Sequence, residues 1–402
     1  GDTYRSANGG LQTTQFYNGF SVSEADSIFA LGGLQDNSTV IFRGNGAWQR
    51  AIGGDGSWSA INQSDNSVVF GSYQGLNILK STNKGQSFFN AGINFAPSEN
   101  PLFISPYVIS NDDSPVIYAG GIYVYKSEDL AFNWETTNAG LPLNGDPVFC
   151  MDVSRTDSDV VYVATVPVVD VPRVFVTQDG GDSWTLTDNS FPDRIPNDIV
   201  IHPFDPAIAY LCFSGFGTDH LFRTLDYGES WEALGSGLPD VPCNALAIDP
   251  ADPDILYLGN DLSVYVSTDA GFNWEVFNSD LPKAVISMDL KISSTDRKLW
   301  LATHGHGAYK SDLLSSIVSN ENPVVESQQI RFYPNPASEV LFLENTAVEN
   351  VPEWQLYNIS GQLFRQGRST VIQLNDIPPG QYLLRLMDKA TAYIESKIVT
   401  IL

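Results

Sequence analysis

Short apolar runs separated by polar turns recur along residues 11–313. Seven of them share one form, in which a polar or acidic turn precedes a strand-like run with a bulky central residue, and they are spaced 41 to 48 residues apart. Short apolar runs bounded by Gly, Pro, Asn and Asp predict β-strands. The predicted central positions are Phe29, Phe70, Tyr118, Tyr162, Tyr210, Tyr257 and Leu301.

A second motif, Ser/Thr-x-Asp-x-Gly-x-Ser/Asn-Trp with variations, follows the strand in five of the seven units. Its carboxylate can accept backbone N–H groups across a tight turn, and its glycine can adopt the positive φ that such a turn needs. We expect the terminal Trp to pack into the seam between neighbouring sheets. The copies begin at Ser81, Ser127, Thr177, Thr224 and Ser267; Phe88 ends the first, and the others contain Asp129 and Trp134, Asp179 and Trp184, Asp226 and Trp231, and Asp269 and Trp274.

A period of about 45 residues fits one four-stranded blade of a β-propeller. We therefore predict an all-β fold in which residues 1–313 form a propeller of about seven blades. The seventh unit ends without the second motif, whereas the chain opens on a strand-like segment that has no unit in front of it. We expect residues near Thr3–Ser6 to complete the seventh blade.

The repeated motif makes residues 1–313 similar to the Asp-box superfamily, which includes sialidases, xyloglucan hydrolases, sortilin-type receptors and photosystem assembly factors. The runs GGLQDNS (32–38) and GGDGSW (53–58) resemble those of sortilin-like propellers in secreted proteins of Bacteroidetes. The resemblance implies that the box is architectural and lies at blade edges. It therefore does not assign catalysis.

Catalytic candidates are few. A glycosidase needs two carboxylates about 5 to 10 Å apart at one cleft, and the candidates are Asp36 and Asp55, which are otherwise turn residues beside glycines. A sialidase needs three converging arginines, and the Arg194-Ile195-Pro196 run follows the third box instead of preceding the first. His304 and His306 lack a third ligand for zinc. The sequence therefore leans against an enzyme and predicts no metal site.

The formal net charge of −26 lies almost entirely before the C-terminal segment. Residues 329–402 hold 6 basic and 7 acidic residues, so residues 1–328 hold the other 15 basic and 40 acidic residues. An acidic body repels phosphate backbones, which disfavours nucleic acid as a partner. The acidity is accounted for by solubility. The alternative is that some of the acidic loops bind calcium, which no motif supports. No cofactor is predicted. Cys150, Cys212 and Cys243 lie in apolar runs and are expected to be buried small core side chains; the alternative is a disulfide between one pair of them after export.

The C-terminal segment has a different pattern. Residues 314–328 are polar and predict a linker, and residues 329–402 contain short strands between turn signals. This segment resembles the type A C-terminal domain of type IX secretion substrates in its motifs YPNP (333–336), LYNISG (356–361), GQYLLRL (380–386) and KIV (397–399). The residues that carry the resemblance are Tyr333, Pro334, Asn335, Pro336, Tyr357, Gly361, Gly380, Tyr382, Leu384, Arg385 and Lys397.

The resemblance implies an immunoglobulin-like β-sandwich of about seven strands that is read by an outer-membrane translocon and a shuttle barrel protein. Cleavage by a sortase and attachment at the cell surface, or release, would follow. The sequence contains no run of 18 apolar residues, so it predicts no membrane-spanning helix. Residues 1–20 are polar, so export implies that a leader has been removed or precedes the sequence.

Three functions remain open for the propeller. It is a binding platform for a glycan or a surface protein, a secreted glycoside hydrolase acting at the propeller axis, or a structural or adhesive module of a larger surface protein. The sequence favours the first, with the C-terminal domain as the secretion signal.

Overall fold

The computed structural model describes residues 14–314 and 330–401, except for 45–46, 97–98, 112–114, 167–170, 188–190, 280, 334–336, 346–352, 359–362 and 388–394. These residues are almost entirely strands and turns, with one short 3₁₀ helix at Asn138–Gly140. The chain divides into two compact units, Gly1–Ser316 and Ile317–Leu402. The segments around Thr3–Ser6 and 315–329, where a closing strand and a linker are predicted, lie outside the described residues.

The first unit begins with three antiparallel four-stranded sheets in which each strand pairs with the next along the chain. Short turns favour this sequential pairing. Their strands are β1 to β4 (Ser21–Val22, Ala30–Leu34, Ser38–Phe42, Trp48–Ile52), β5 to β8 (Gly56–Ile61, Val69–Tyr73, Asn77–Ser81, Phe89–Asn90) and β9 to β12 (Tyr107–Ile109, Ile117–Gly120, Val124–Ser127, Glu135–Thr136).

Four more sheets follow, and the last has three strands among the described residues. The strands are β13 to β16 (Val148–Val153, Val161–Thr165, Arg173–Thr177, Thr185–Leu186), β17 to β20 (Pro196–Ile201, Ala209–Phe213, Leu221–Thr224, Glu232–Leu234), β21 to β24 (Cys243–Ile248, Leu256–Asn260, Val264–Ser267, Glu275–Val276) and β25 to β27 (Ser287–Ser293, Lys298–Thr303, Ala308–Asp312).

The first strands of the seven sheets form a closed ring. Each contacts the first strand of the next sheet, and β25 contacts β1. The second strands are buried on both faces, as in Ala209–Phe213, because each sheet packs between two neighbours. The described part of this unit is therefore a β-propeller with seven sheets, as the repeat predicts.

The ring closes between its last and first sheets. The Asp289 carboxylate on β25 accepts the backbone N–H groups of Gly19 (2.9 Å) and Phe20 (2.8 Å). The Trp300 ring lies 6.2 Å from the Phe20 ring and 5.7 Å from the Phe42 ring. Hydrogen bonds and aromatic packing thus join the ends of the ring.

Two of the seven predicted central positions are displaced. The Ser23 N–H donates to the Phe29 carbonyl as the Asn62 N–H does to Val68, so the equivalent of Phe70 is Leu31. In the last sheet Trp300 pairs with Lys291 as Tyr162 pairs with Asp152 in the fourth, so Trp300, not Leu301, is the equivalent residue. The prediction was wrong there because both runs are buried on both faces and give no alternation to fix the register.

The second unit is a sandwich of two antiparallel sheets among the described residues. Its strands are β28 (Ile330–Tyr333), β29 (Val340–Asn345), β30 (Glu353–Asn358), β31 (Leu363–Arg368), β32 (Val371–Gln373), β33 (Gly380–Met387) and β34 (Glu395–Ile401). One sheet contains β28, β29 and β32, and the other has the order β31-β30-β33-β34.

Alternate residues of these strands form the core of the sandwich. Leu341 and Ile372 from one sheet belong to the same buried cluster as Trp354, Tyr382 and Leu384 from the other. This alternation is the period of two expected for a sheet that covers a core with one face.

The three cysteines are buried, as predicted from their apolar runs, and all three are free. Burial raises the pKa of each thiol, to about 12 for Cys243. They act as small core side chains of the propeller.

Candidate functional site

Loops collect on one face of the propeller, which we call the loop face. Strands alternate in direction, so the turns between second and third strands emerge on the same side as the segments that join one sheet to the next. Asp36 lies in the turn between β2 and β3, and Asp55 lies between β4 and β5. Both catalytic candidates are therefore on the loop face.

The structure brings these two residues together. The Asp36 backbone N–H donates to Oδ1 of Asp55 at 3.0 Å, although 19 residues separate them. Asp36 is exposed and adopts a positive φ of 59°, which an aspartate tolerates better than most residues. Asp55 is half-buried.

The Tyr17 ring lies near this pair, and two other aromatic rings lie next to its neighbours. The Tyr17 ring contacts the Phe103 ring edge-on, with centroids 6.5 Å apart. Burial raises the pKa of Tyr17, and the carboxylates of Asp55 and Asp36 raise it further, so both lie near its phenol. Tyr73 packs beside Gly54, which precedes Asp55. We call Tyr17, Asp36, Asp55, Tyr73 and Phe103 the aromatic–acidic patch.

An axial chamber of about 220 Å³ lies within the ring and is lined by all seven first strands. Neither Asp36 nor Asp55 lines it. Arg155 Nη2 donates to both carboxylate oxygens of Glu24, at 2.6 and 2.7 Å. Glu24 follows β1 and Arg155 follows β13, in sheets that are not neighbours, so this ion pair crosses the ring.

Charged side chains also lie along the chamber. Oδ2 of Asp152 accepts the Ile201 N–H (2.8 Å) and Oδ2 of Asp198 accepts the Leu246 N–H (2.9 Å), so each carboxylate joins one first strand to the next. Nζ of Lys291 lies 3.0 Å from Oδ1 of Asp289.

The chamber shifts the pKa values of these groups. Burial raises the pKa of Asp152 to about 6 and that of Asp198 to about 7, against the opposing charge of Lys291. Burial opposes the charge of Lys291, but Asp289, Asp198 and Asp152 outweigh it and raise the pKa of the lysine. Asp152, Asp198 and Lys291 were not predicted as notable from the sequence, although each is a charge within an apolar strand.

Replacing Asp198 with Asn should make the propeller more stable at pH 8 and flatten its stability between about pH 4 and pH 7. The folded pKa lies above the unfolded value of about 4, so the wild-type chain loses stability as pH rises through that window. The amide oxygen can still accept the Leu246 N–H. We expect a gain of about 1–2 kcal/mol at pH 8, because Asp198 is only partly buried and solvent screens its charge.

Chemical unfolding at pH 4, 6 and 8 measures this effect. Glu275→Gln, which changes an exposed carboxylate, is the matched control and should keep the wild-type slope. A lower stability of Asp198→Asn at pH 8 than at pH 4, relative to wild type, would contradict the interpretation.

The box motifs form turns between third and fourth strands, on the face opposite the loop face. In four of them the first hydroxyl donates to Oδ1 of the aspartate at 2.7–3.0 Å. The same Oδ1 accepts the backbone N–H of the residue just before the terminal tryptophan, at 2.8–2.9 Å, and Oδ2 accepts the side chain of that residue at 2.6–2.7 Å. The aspartates are Asp129, Asp179, Asp226 and Asp269.

Hydrogen bonds keep these carboxylates ionised. The side chain and backbone N–H of Ser183 hold the pKa of Asp179 below its usual value, and Ser230 does the same for Asp226. Each turn has two consecutive residues at positive φ, such as Gly180 (69°) and Gly181 (93°). In the second copy, which lacks the glycine, Ala131 adopts a φ of 65°.

The box tryptophans lie against the preceding sheet. Trp134 Nε1 donates to the Ala91 carbonyl (3.0 Å) and Trp184 Nε1 to Oγ1 of Thr137 (3.2 Å), each at the end of the sheet before. The Trp231 ring lies 5.4 Å from the Phe191 ring. Trp274 is buried with residues of the fifth and sixth sheets.

The remaining candidates of the propeller do not converge. His304 and His306 lie in the turn between β26 and β27. Among the residues that the structure describes, no group of three or more His, Cys, Asp or Glu side chains could hold a metal ion. Arg194 donates to the backbone carbonyls of Asp193 (2.6 Å) and Phe216 (3.3 Å).

The sorting-motif residues lie mainly in strands of the second unit. Tyr382 and Leu384 are buried in its core, and the Tyr382 hydroxyl donates to the Pro378 carbonyl at 2.9 Å. The Tyr357 hydroxyl donates to Oε1 of Gln355 (2.6 Å). Backbone positions place Tyr333 at the end of β28, Gly380 and Arg385 in β33 and Lys397 in β34. Pro334, Asn335, Pro336 and Gly361 lie outside the described residues.

A family model identifies the second unit. Residues 331–400 match the secretion system C-terminal sorting domain. The chain carries a type IX secretion sorting domain. It is therefore a type IX secretion cargo, exported across the outer membrane to the cell surface or the medium. None of the described helices is long and apolar enough to cross a membrane.

Solved structures similar to this chain are β-propellers. YCF48 from Cyanidioschyzon merolae is 15% identical, with a TM-score of 0.55 over 74% of this chain and 95% of that one. PorZ, an essential surface component of the type IX secretion system of Porphyromonas gingivalis, is 12% identical, with a TM-score of 0.50 over 98% of this chain and 59% of that one.

An ancestral GH74 enzyme is 13% identical, with a TM-score of 0.51 over 84% of this chain and 52% of that one. At these identities the three likenesses support the fold alone. A search of curated proteins finds no match.

Proposed function

We propose that this type IX secretion cargo acts outside the cell as a binding protein, and that the loop face of its propeller holds the ligand, a glycan or a segment of a surface protein. The aromatic–acidic patch carries the proposal. Paired carboxylates beside exposed rings can accept hydrogen bonds while the rings provide contact area. Phe103 is 53% exposed and Tyr73 is 37% exposed.

We also propose the partners and the ancestry that the sequence implies. The sandwich would contact the outer-membrane translocon, its shuttle barrel protein and the sortase and attachment complex. The propeller would belong to the Asp-box superfamily, on the side of the sortilin-like members found in Bacteroidetes. The hydrogen-bonded box turns support this ancestry, since all four aspartates occupy the same place in the same turn.

Glycoside hydrolysis is the second candidate. The contact between the Asp36 backbone and the Asp55 carboxylate favours it, because a glycosidase needs two acidic residues at one cleft. The likeness to a GH74 enzyme is compatible with both candidates.

Binding to a glycan array, a polysaccharide panel and surface proteins tests the proposal. We expect at least one ligand to bind without release of reducing ends, and Asp36→Asn/Asp55→Asn to weaken that binding about tenfold or more. Glu135→Gln/Glu275→Gln removes the same charge from exposed positions on the outermost strands and should leave binding unchanged.

Two other outcomes would replace the proposal. Reducing-end release that disappears in Asp36→Asn/Asp55→Asn would make the protein a hydrolase. If that variant instead binds every ligand with wild-type affinity, the binding site lies elsewhere. The structural or adhesive alternative would then be favoured for this face.

A further inference from the structure

The negative charge of the aromatic–acidic patch is not balanced within the described residues. Neither Asp36 nor Asp55 forms an ion pair with any lysine or arginine that the structure describes. Oδ1 of Asp55 accepts the Asp36 backbone N–H, and the carboxylates of both residues lie near the Tyr17 phenol, whose pKa they raise. Two carboxylates at one surface site attract positive charge, so a cation placed beside them would be favourable.

The described residues combine a ring, a carboxylate and a cation at several other places, and in three of them the cation lies less than 5 Å from the ring centroid. Lys84 lies 4.8 Å from the Phe29 ring centroid and 2.5 Å from Asp26. Lys310 lies 4.7 Å from the Trp300 ring centroid and 2.6 Å from Asp296. In the third set, Arg223 Cζ lies 4.7 Å from the Phe272 ring centroid and Arg223 Nη2 lies 2.5 Å from Oε1 of Glu232.

The patch has the first two components of this combination. The Tyr17 phenol is neutral at physiological pH, and burial and the two carboxylates raise its pKa further, so the ring keeps an electron-rich face and an O–H donor. Phe103 contacts that ring and remains about half exposed. The component that the described residues do not supply is the cation.

We propose that the patch binds a cationic side chain, lysine or arginine, of an extended segment of a partner protein. This inference rests on the proposed function and names its ligand class. The charge of residues 1–328, with 15 basic and 40 acidic residues, would attract such a segment from a distance. A neutral glycan would accept or donate hydrogen bonds there but would leave the negative charge of the two carboxylates unbalanced.

Fluorescence anisotropy with a labelled octa-arginine peptide tests the inference on the full chain. Octacitrulline has nearly the same shape without the charge and should not bind. We expect Asp36→Asn/Asp55→Asn to weaken octa-arginine binding about tenfold or more, and Phe103→Ala about threefold. Glu135→Gln/Glu275→Gln and Phe204→Ala, at positions away from the patch, should change the affinity less than about twofold.

The controls separate the outcomes. Equal losses in the patch variant and in Glu135→Gln/Glu275→Gln would mean that bulk charge binds the peptide, which overturns the inference. Unchanged peptide binding together with lost polysaccharide binding in the patch variant would overturn it too, while the proposed function survives. If no ligand of either kind depends on the patch, both fail. Thermal unfolding of each variant verifies that the propeller is intact.

Discussion

Removing residues 329–402 should trap the protein in the periplasm of its host while leaving the propeller folded. Residues 331–400 are the sorting domain, and export depends on its recognition at the outer membrane. The propeller has its own buried clusters and forms a separate compact unit, so it does not need the sandwich for its core. Cell fractionation measures the loss, which should be nearly complete.

A fusion supplies the converse experiment. Residues 311–402 placed after an unrelated folded reporter with a signal peptide should export it in a host with type IX secretion, and should fail in a mutant without the translocon. Asp36→Asn/Asp55→Asn in the full chain is the matched control, since it changes the propeller alone and should be exported normally. A truncated protein that reaches the medium at wild-type levels would contradict the assignment.

The repeat could be predicted from the sequence because its information is local. A hydroxyl, an aspartate and a tight turn recur within eight residues, and their hydrogen bonds form within that turn. Each turn needs two consecutive residues with positive φ, and the glycine of the motif indicates only one of them. Residues such as Tyr227 (57°) and Ala270 (56°) adopt the first of them without any sequence signal.

The register of the end units could not be predicted in the same way. Phe29 and Leu31 are both buried, at 1% and 0% exposure, so the apolar pattern does not distinguish them. The backbone pairing of each strand decides instead. Leu299 to Ala302 are likewise all buried, and Trp300 occupies the equivalent position only because of its pairing with Lys291.

The candidate site was predicted only in its polar half. Asp36 and Asp55 stand out beside glycines, whereas Tyr17 and Phe103 meet through loops that are distant in sequence. Exposure of an aromatic ring is a tertiary property, and no local pattern marks it. For the chamber a signal existed: Asp152, Asp198 and Asp289 each interrupt an apolar strand, and each carboxylate joins its strand to the next.

Trp274→Ala should lower the free energy of unfolding of the propeller by about 3–5 kcal/mol, the usual range when a buried aromatic side chain is truncated. The ring is 5% exposed and packs with Tyr210 and Leu221 of the preceding sheet, and its Nε1 donates to the Gly271 carbonyl at 2.9 Å. The substitution would therefore open a cavity in the seam between two sheets and leave that carbonyl without its indole donor.

Trp231→Ala, at the equivalent position one sheet earlier, should destabilise the propeller in the same direction. Phe216→Ala is the control, because Phe216 is 60% exposed and its truncation should change the free energy by less than about 0.5 kcal/mol. Chemical unfolding of the three variants decides the matter. Equal unfolding midpoints for Trp274→Ala and Phe216→Ala would contradict the packing of the tryptophan in the seam between the sheets. Ligand binding below the unfolding transition should persist in both, since the box turns lie on the face opposite the aromatic–acidic patch.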